Sequence, residues 1–315
     1  MGVVNNQFIF SSVRKICRVN FASNRILNLA MILAVLLSLA NVFSVVGIGL
    51  VLLSFLRLFS YFSSLERIAL AIPLGIGTYG WILFMLGLFG NITAEACIVI
   101  IFIGILGFLY FCPKIKFSGT ISLSATGYLF FGIISYIFVL DFFEALTPPA
   151  DSDTLAYHFS IPKIISETGK VIFTPRIVDG AVPLLIQMTY VPILLLGGEF
   201  ALSMWVFLTG WCLAFMLFVV ARRYLSLNWS LCLVIILTTT PIVVGASGSG
   251  QVETRLGLFV VGSSFAMMFA VKRDDLAFFI LAGILAGFSA ASKYYGLFFI
   301  LACGVIVFGG KNWLK

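Results

Sequence analysis

Ten stretches of this chain contain no Asp, Glu, Lys or Arg, and they limit its fold more than any other feature. They are Asn28–Leu56, Ile68–Ala94, Ala96–Cys112, Phe117–Leu140, Gly180–Gly198, Phe200–Ala221, Tyr224–Val252, Leu256–Val271, Leu276–Ser292 and Tyr294–Gly310. Roughly 20 apolar residues suffice to cross the hydrocarbon of a bilayer. The chain has 315 residues, 62% hydrophobic and only 10% charged, whereas soluble domains carry about 25% charged residues. Its mean hydropathy is +1.17. Backbone polar groups inside lipid must pair within their own segment, which leaves helices. The sequence therefore predicts an all-α, polytopic helical membrane protein with about nine transmembrane helices. Interfacial helices are expected in one large extracytoplasmic loop.

The formal net charge of +7 would suggest a nucleic-acid partner in a soluble protein. Here it reads as basic residues retained on the cytoplasmic side, with membrane lipid as the partner and no nucleic acid. Arg57 and Arg67, Lys114 and Lys116, Arg222 and Arg223, Lys272 and Arg273, and Lys311 and Lys315 all fall between or after apolar windows. Placing all of them inside gives one consistent weave, with Asp141 to about Phe200 outside. Three regions follow: a basic N-terminal segment (1–27, with Arg14, Lys15, Arg18 and Arg25), N-terminal transmembrane helices (28–147), and a second transmembrane core (148–315). The first window is either a single span or a short hairpin pivoting near Asn41. Gly180–Gly198 breaks the alternation if it spans; with Pro183, Pro192 and a central Gln187 it reads as an interfacial or partly re-entrant helix. The six cysteines are scattered without CxxC spacing and read as small hydrophobes.

Against this apolar background, "PPADSDTLAYHFSIPKIISETG" (148–169) gathers two aspartates, the only histidine and a lysine. Asp151 and Asp153 can cap the helix that follows them. Asp153 is also a candidate general base toward an acceptor hydroxyl or amine, and the pair is a candidate ligand set for a divalent cation. Tyr157 follows Asp153 by one helical turn; an interfacial anchor is its ordinary role. His158 alone supplies no second metal imidazole. Glu253, in "GASGSGQVETRLGLF", stands at the outer end of a span, where a carboxylate marks a functional site. Arg255 is two residues on, too close in sequence to face it on a helix. Lys293, beside Tyr294 and Tyr295, is a basic residue on the outer side, fitting a phosphate contact or a snorkelling helix end.

Taken in order, the acidic loop, "VIFTPRIVDGAVPLLIQMTYVPILLLGGEFALSMWVFLTG", "VARRYLS", "TTTPIVVGASGSGQVETRLGLF" and "LAGILAGFSAASKYYGLFF" resemble the GT-C superfamily of membrane glycosyltransferases, of the protein mannosyltransferase and aminoarabinose transferase type. Asp153 and Tyr157 keep the family's spacing of acid and aromatic; Pro183–Leu196 match its proline-bearing helix, and Arg222, Arg223, Glu253, Gly283, Gly287 and Lys293 its later positions. The family's two acids are usually adjacent, whereas here they are two residues apart. Its members usually continue with further spans, so this chain is expected to be C-terminally truncated relative to them.

The resemblance implies an inverting hexosyl or pentosyl transferase of GT-C type. It would move a sugar from a polyprenyl-phosphate donor to a glycan, lipid or protein acceptor on the extracytoplasmic face of a bacterial inner or plasma membrane. Asp153 would act as the base, with Asp151 and Glu253 completing the catalytic carboxylates. Tyr157, His158, Lys163, Arg176, Arg255, Lys293 and Tyr294 would contact substrate. No cofactor beyond a divalent cation is expected. Two other functions compete: a lipid-linked-sugar transporter or flippase, which needs charges at mid-bilayer depth, and a non-catalytic membrane scaffold.

Overall fold

A computed structural model describes residues 24–117, 122–173 and 182–309; Arg176 and the Arg176–Asp179 turn lie outside them. The described residues form eleven α-helices and no strand: α1 Asn24–Phe55, α2 Ser64–Leu88, α3 Ala94–Phe111, α4 Ala125–Ala145, α5 Ser160–Thr168, α6 Leu185–Arg222, α7 Leu227–Thr238, α8 Pro241–Ser247, α9 Glu253–Arg273, α10 Leu276–Ser292 and α11 Gly296–Gly309. Local chemistry sets many of the boundaries. Ser63 and Glu66 form a capping box at the start of α2, and Thr93, Ser124 and Asp275 cap α3, α4 and α10. Gly169, at φ 70°, closes α5. Thr240, forced extended by Pro241, breaks the Tyr224–Val252 window into α7 and α8, which bend by 77°.

Among the described residues, six helices are long and apolar enough to span, or seven if α7 and α8 count as one, with α10 and α11 as shorter apolar helices. That confirms the helical membrane class without fixing the expected nine. The core lies among α1, α2, α6, α9 and α10. By contrast α4 buries only 11% of its span, against 67% for α2. Glycines permit the closest approach in that core: a Cβ on Gly75 would fall 1.6 Å from the Val45 carbonyl oxygen.

Two expectations change. Asn41 is not a pivot, because α1 runs through it unbroken. Its amide donates to the Leu37 carbonyl at 3.0 Å and accepts from the Tyr79 hydroxyl at 2.9 Å, so a polar residue is satisfied without a turn. Nor does Leu185–Ile193, within the Gly180–Gly198 window, lie along a surface. Leu185 to Ile193 are all buried, and the segment joins the following helix at Gly198, whose φ of 72° makes a kink. Nine consecutive buried residues leave no face for water or headgroups, so Leu185–Ile193 is core and not an interfacial helix, and the break at Gly198 is compatible with a re-entrant one.

The helices sort their charges to opposite ends. At one end Arg223 pairs with Glu66 and lies over Phe269, Arg67 donates to the Lys114 carbonyl at 3.3 Å, and Arg273 lies 5.0 Å over Tyr61. The basic C-termini of α6 and α9 thus meet the N-terminus of α2, where Glu66 receives Arg223. The 21 residues of α9 rise from there to Glu253, roughly 30 Å at 1.5 Å per residue. The acidic loop sits at that second end.

Candidate active site

The site is assembled around one threonine. After Pro148–Pro149 the chain turns, and the Asp151 carboxylate accepts from the Asp153 amide (3.3 Å), the Thr154 amide (3.0 Å) and the Thr154 hydroxyl. So Asp151 does cap this turn, as its position before Thr154 suggested. The same hydroxyl accepts the Gly250 N–H at 3.0 Å, while Gln251 donates its amide to Asp151 at 3.3 Å. From the other side, the Tyr190 hydroxyl donates to the Gly250 carbonyl at 3.1 Å. Gly250 has to be glycine for this approach: a Cβ there would come 2.5 Å from the Phe159 ring and 2.8 Å from Thr154 Cγ2. Segments about 100 residues apart are thereby stitched together.

Partial burial works to raise Asp151, but the hydrogen bonds from Thr154, the Asp153 amide and Gln251 outweigh it and hold the carboxyl below the usual carboxylate range. Asp153, favoured over Asp151 as the base, is exposed and donates only its backbone to this network.

Thr154–His158 then form a single π-helical turn, closed by Phe159 N–H on the Thr154 carbonyl at 2.9 Å. The wider turn buries Thr154 and His158 and leaves Asp153 outward and Tyr157 half-buried, its ring centroid 4.1 Å from the imidazole. His158 is 2% exposed, with Nδ1 3.1 Å from the Gln187 amide nitrogen. Burial pushes its pKa down to about 4; the Glu253 and Asp151 charges oppose this, and Lys293 and Arg255 add to it. The imidazole is therefore neutral at physiological pH.

A pH prediction follows. The unfolded imidazole takes up a proton near pH 6.5 and the folded one near 4, so between these values protons favour the unfolded chain. The detergent-solubilised protein should lose stability as pH falls through this window. A shift of this size corresponds to about 3 kcal/mol at most. His158→Gln, which cannot titrate, should flatten the pH dependence of Tm there. An equally steep profile in the variant would remove His158 as its source.

Glu253 opens α9, Lys293 caps the end of α10, and the two form an ion pair. Glu253 does not pair with Arg255. That arginine, 1% exposed, donates to Thr209 (3.1 Å), to the Ala246 (3.3 Å) and Gln251 (2.6 Å) carbonyls, to Thr254 (3.1 Å), and to the Val206 carbonyl. Its donors are directed at the protein's own acceptors, so it positions the loop before α9 against α6 rather than facing a ligand. Tyr294 is exposed just beyond Lys293. Lys163 is not brought to the network; it makes an exposed pair with Glu199 at 3.0 Å.

Among the described residues no three His, Cys, Asp or Glu side chains are arranged to hold a metal ion, and both Asp151 oxygens already accept hydrogen bonds. Thr154, Gln187, Tyr190 and Gln251 also belong to the site. Gln187 alone carried a signal, as a polar side chain in the middle of an uncharged apolar window.

A family model described as dolichyl-phosphate-mannose-protein mannosyltransferase matches residues 183–315. No curated protein and no solved structure matches. The matched region holds Gln187, Gln251, Glu253 and Lys293; the acidic loop precedes it. The match supports a GT-C-type membrane glycosyltransferase, and with the apolar helices it supports an integral membrane protein.

Proposed function

We propose that the chain transfers a sugar from a polyprenyl-phosphate donor to an acceptor hydroxyl at the extracytoplasmic face. The observation that carries this reading is the convergence of Asp151, Glu253 and Lys293, from three separate segments, at the end of the bundle opposite the basic one. Basic helix ends favour the cytoplasm, which supports an outward position for these carboxylates.

In this mechanism Asp153 removes the acceptor's proton as its oxygen attacks the anomeric carbon. A carbon–oxygen bond forms to the acceptor, the bond to the phosphate oxygen breaks, and polyprenyl phosphate departs with its electron pair. Asp151, its oxygens already accepting hydrogen bonds, is the weaker base and holds the loop in place. Lys293 meets the donor phosphate; a point cation on a flexible stem can turn from Glu253 to a phosphate oxygen. Glu253 is the second carboxylate of the site. The acidic loop joins the 183–315 region as one catalytic core.

Transfer of radiolabel from polyprenyl-phosphate sugars by membranes containing the protein tests this reading. Lys293→Met should lower the rate roughly 10–100-fold, the range expected for losing a charge-assisted contact. Unimpaired transfer by that variant would remove Lys293 from the phosphate. Failure of wild-type membranes to use any sugar-bearing donor would overturn the transferase itself.

A further inference from the structure

At the basic end of the bundle α9, α10 and α11 do not close on one another. A cavity of about 780 Å3 lies between all three helices, and a groove of about 490 Å3 runs between α9 and α11 alone. Met267, Val271, Cys303 and Ile306 line both, so one seam of α9 and α11 divides the two spaces. Glycine keeps the larger one open. A Cβ on Gly283 or Gly287, both on the cavity wall, would meet nothing within 4 Å, whereas one on Gly75 would strike backbone. Space walled by apolar side chains draws no water, and at membrane depth hydrocarbon is what surrounds it.

Each space carries one charge in its lining, Lys272 in the groove and Asp274 in the cavity. Lys272 stands in the last turn of α9 and Asp274 directly follows that helix; both are exposed. Among the described residues neither is in an ion pair, with the other or with a third group. Asp274 also holds φ at 52°, a conformation that glycine enters at less cost at a helix end. The two charges narrow what can fill the spaces. A lone anion would be repelled by Asp274 and a lone cation by Lys272. Their complement is a group with a negative and a positive centre a few atoms apart, carried on hydrocarbon chains. A phospholipid with a protonated primary amine is such a group: its phosphate accepts from Lys272 and its amine donates to Asp274. A choline head carries the positive charge but has no N–H to give.

We infer that α9, α10 and α11 hold a diacyl phospholipid with a primary-amine head, its phosphate at Lys272, its amine at Asp274 and one chain in each space. The inference stands apart from the transferase reading, whose residues gather at the opposite end of the bundle.

The test uses the full chain, purified in detergent and stripped of lipid. It is titrated with dioleoyl phosphatidylethanolamine, phosphatidylcholine and phosphatidylglycerol, and binding is read by native mass spectrometry and by Tm. The ethanolamine lipid should raise Tm and bind about fivefold more tightly than the other two, the upper range for one exposed ion pair. Asp274→Asn, which alters a single exposed carboxylate, should remove most of that preference. Lys272→Gln should weaken all three lipids, and so should Gly287→Leu, which fills the cavity. Equal binding of ethanolamine and choline lipids, or a preference that survives Asp274→Asn, would overturn the inference. Displacement of the bound phospholipid by equimolar polyprenyl phosphate would also overturn it and give both spaces to that chain. A lipid-free dimer that binds none of the three would give them to a second copy instead.

Discussion

Asp153→Asn is expected to slow sugar transfer about 100-fold or more, the usual loss when a general base is removed, while leaving Tm unchanged. The two effects separate because this carboxylate is exposed and only its backbone N–H belongs to the site's network. Asp151→Asn should behave differently. Asparagine offers one carbonyl oxygen where the aspartate offers two, so the bonds from Thr154 and Gln251 cannot all survive. Activity and Tm should therefore fall together, since the loop would loosen. If instead Asp153→Asn transfers at the wild-type rate and Asp151→Asn loses activity with Tm intact, the base is Asp151. Unchanged rates in both would leave the reaction without a carboxylate base and overturn the proposed mechanism.

Arg255→Leu should have the largest effect on stability, about 3 kcal/mol, because each buried acceptor left without a donor costs about 1–3 kcal/mol. The Val206, Ala246 and Gln251 carbonyls and the Thr209 hydroxyl all receive this guanidinium. Leucine would leave these buried acceptors short of donors. Lysine cannot replace the fork geometry and should rescue only part of the loss. Thermal unfolding in detergent reads the difference. A variant as stable as wild type but deficient in transfer would return Arg255 to the substrate contacts that its sequence position suggested.

The contrast between Arg255 and Glu253 shows where sequence reasoning reaches and where it stops. Both stand in one short motif, and hydropathy placed both at the outer end of a span. Charge is expensive in lipid, so the ends of apolar windows are readable, and with them most helices and the sorting of basic residues to one end. Which of two neighbouring charges turns inward depends on partners such as Val206 and Thr209, which no periodicity announces. The position of Lys293 at a helix end suggests a phosphate contact, but nothing in the sequence signals its pairing with Glu253 across 40 residues. Thr154 and Gln251 were harder still. They are neutral, and their bonds to Gly250 and Asp151 link positions about 100 residues apart. Asn41 misled for the opposite reason: a polar residue midway through a long apolar run resembles a turn until Tyr79 is seen to satisfy it.

Cross-linking residues 151 and 251 in sealed cells tests the meeting of these distant segments most directly. With the native cysteines replaced, Asp151→Cys and Gln251→Cys should be joined by a short membrane-impermeant bis-methanethiosulfonate, each cysteine thiolate displacing a sulfinate, added from outside, because the native side chains touch at 3.3 Å. A link that forms only after the membrane is opened would contradict the outward placement, and no link under either condition would contradict the assembled site.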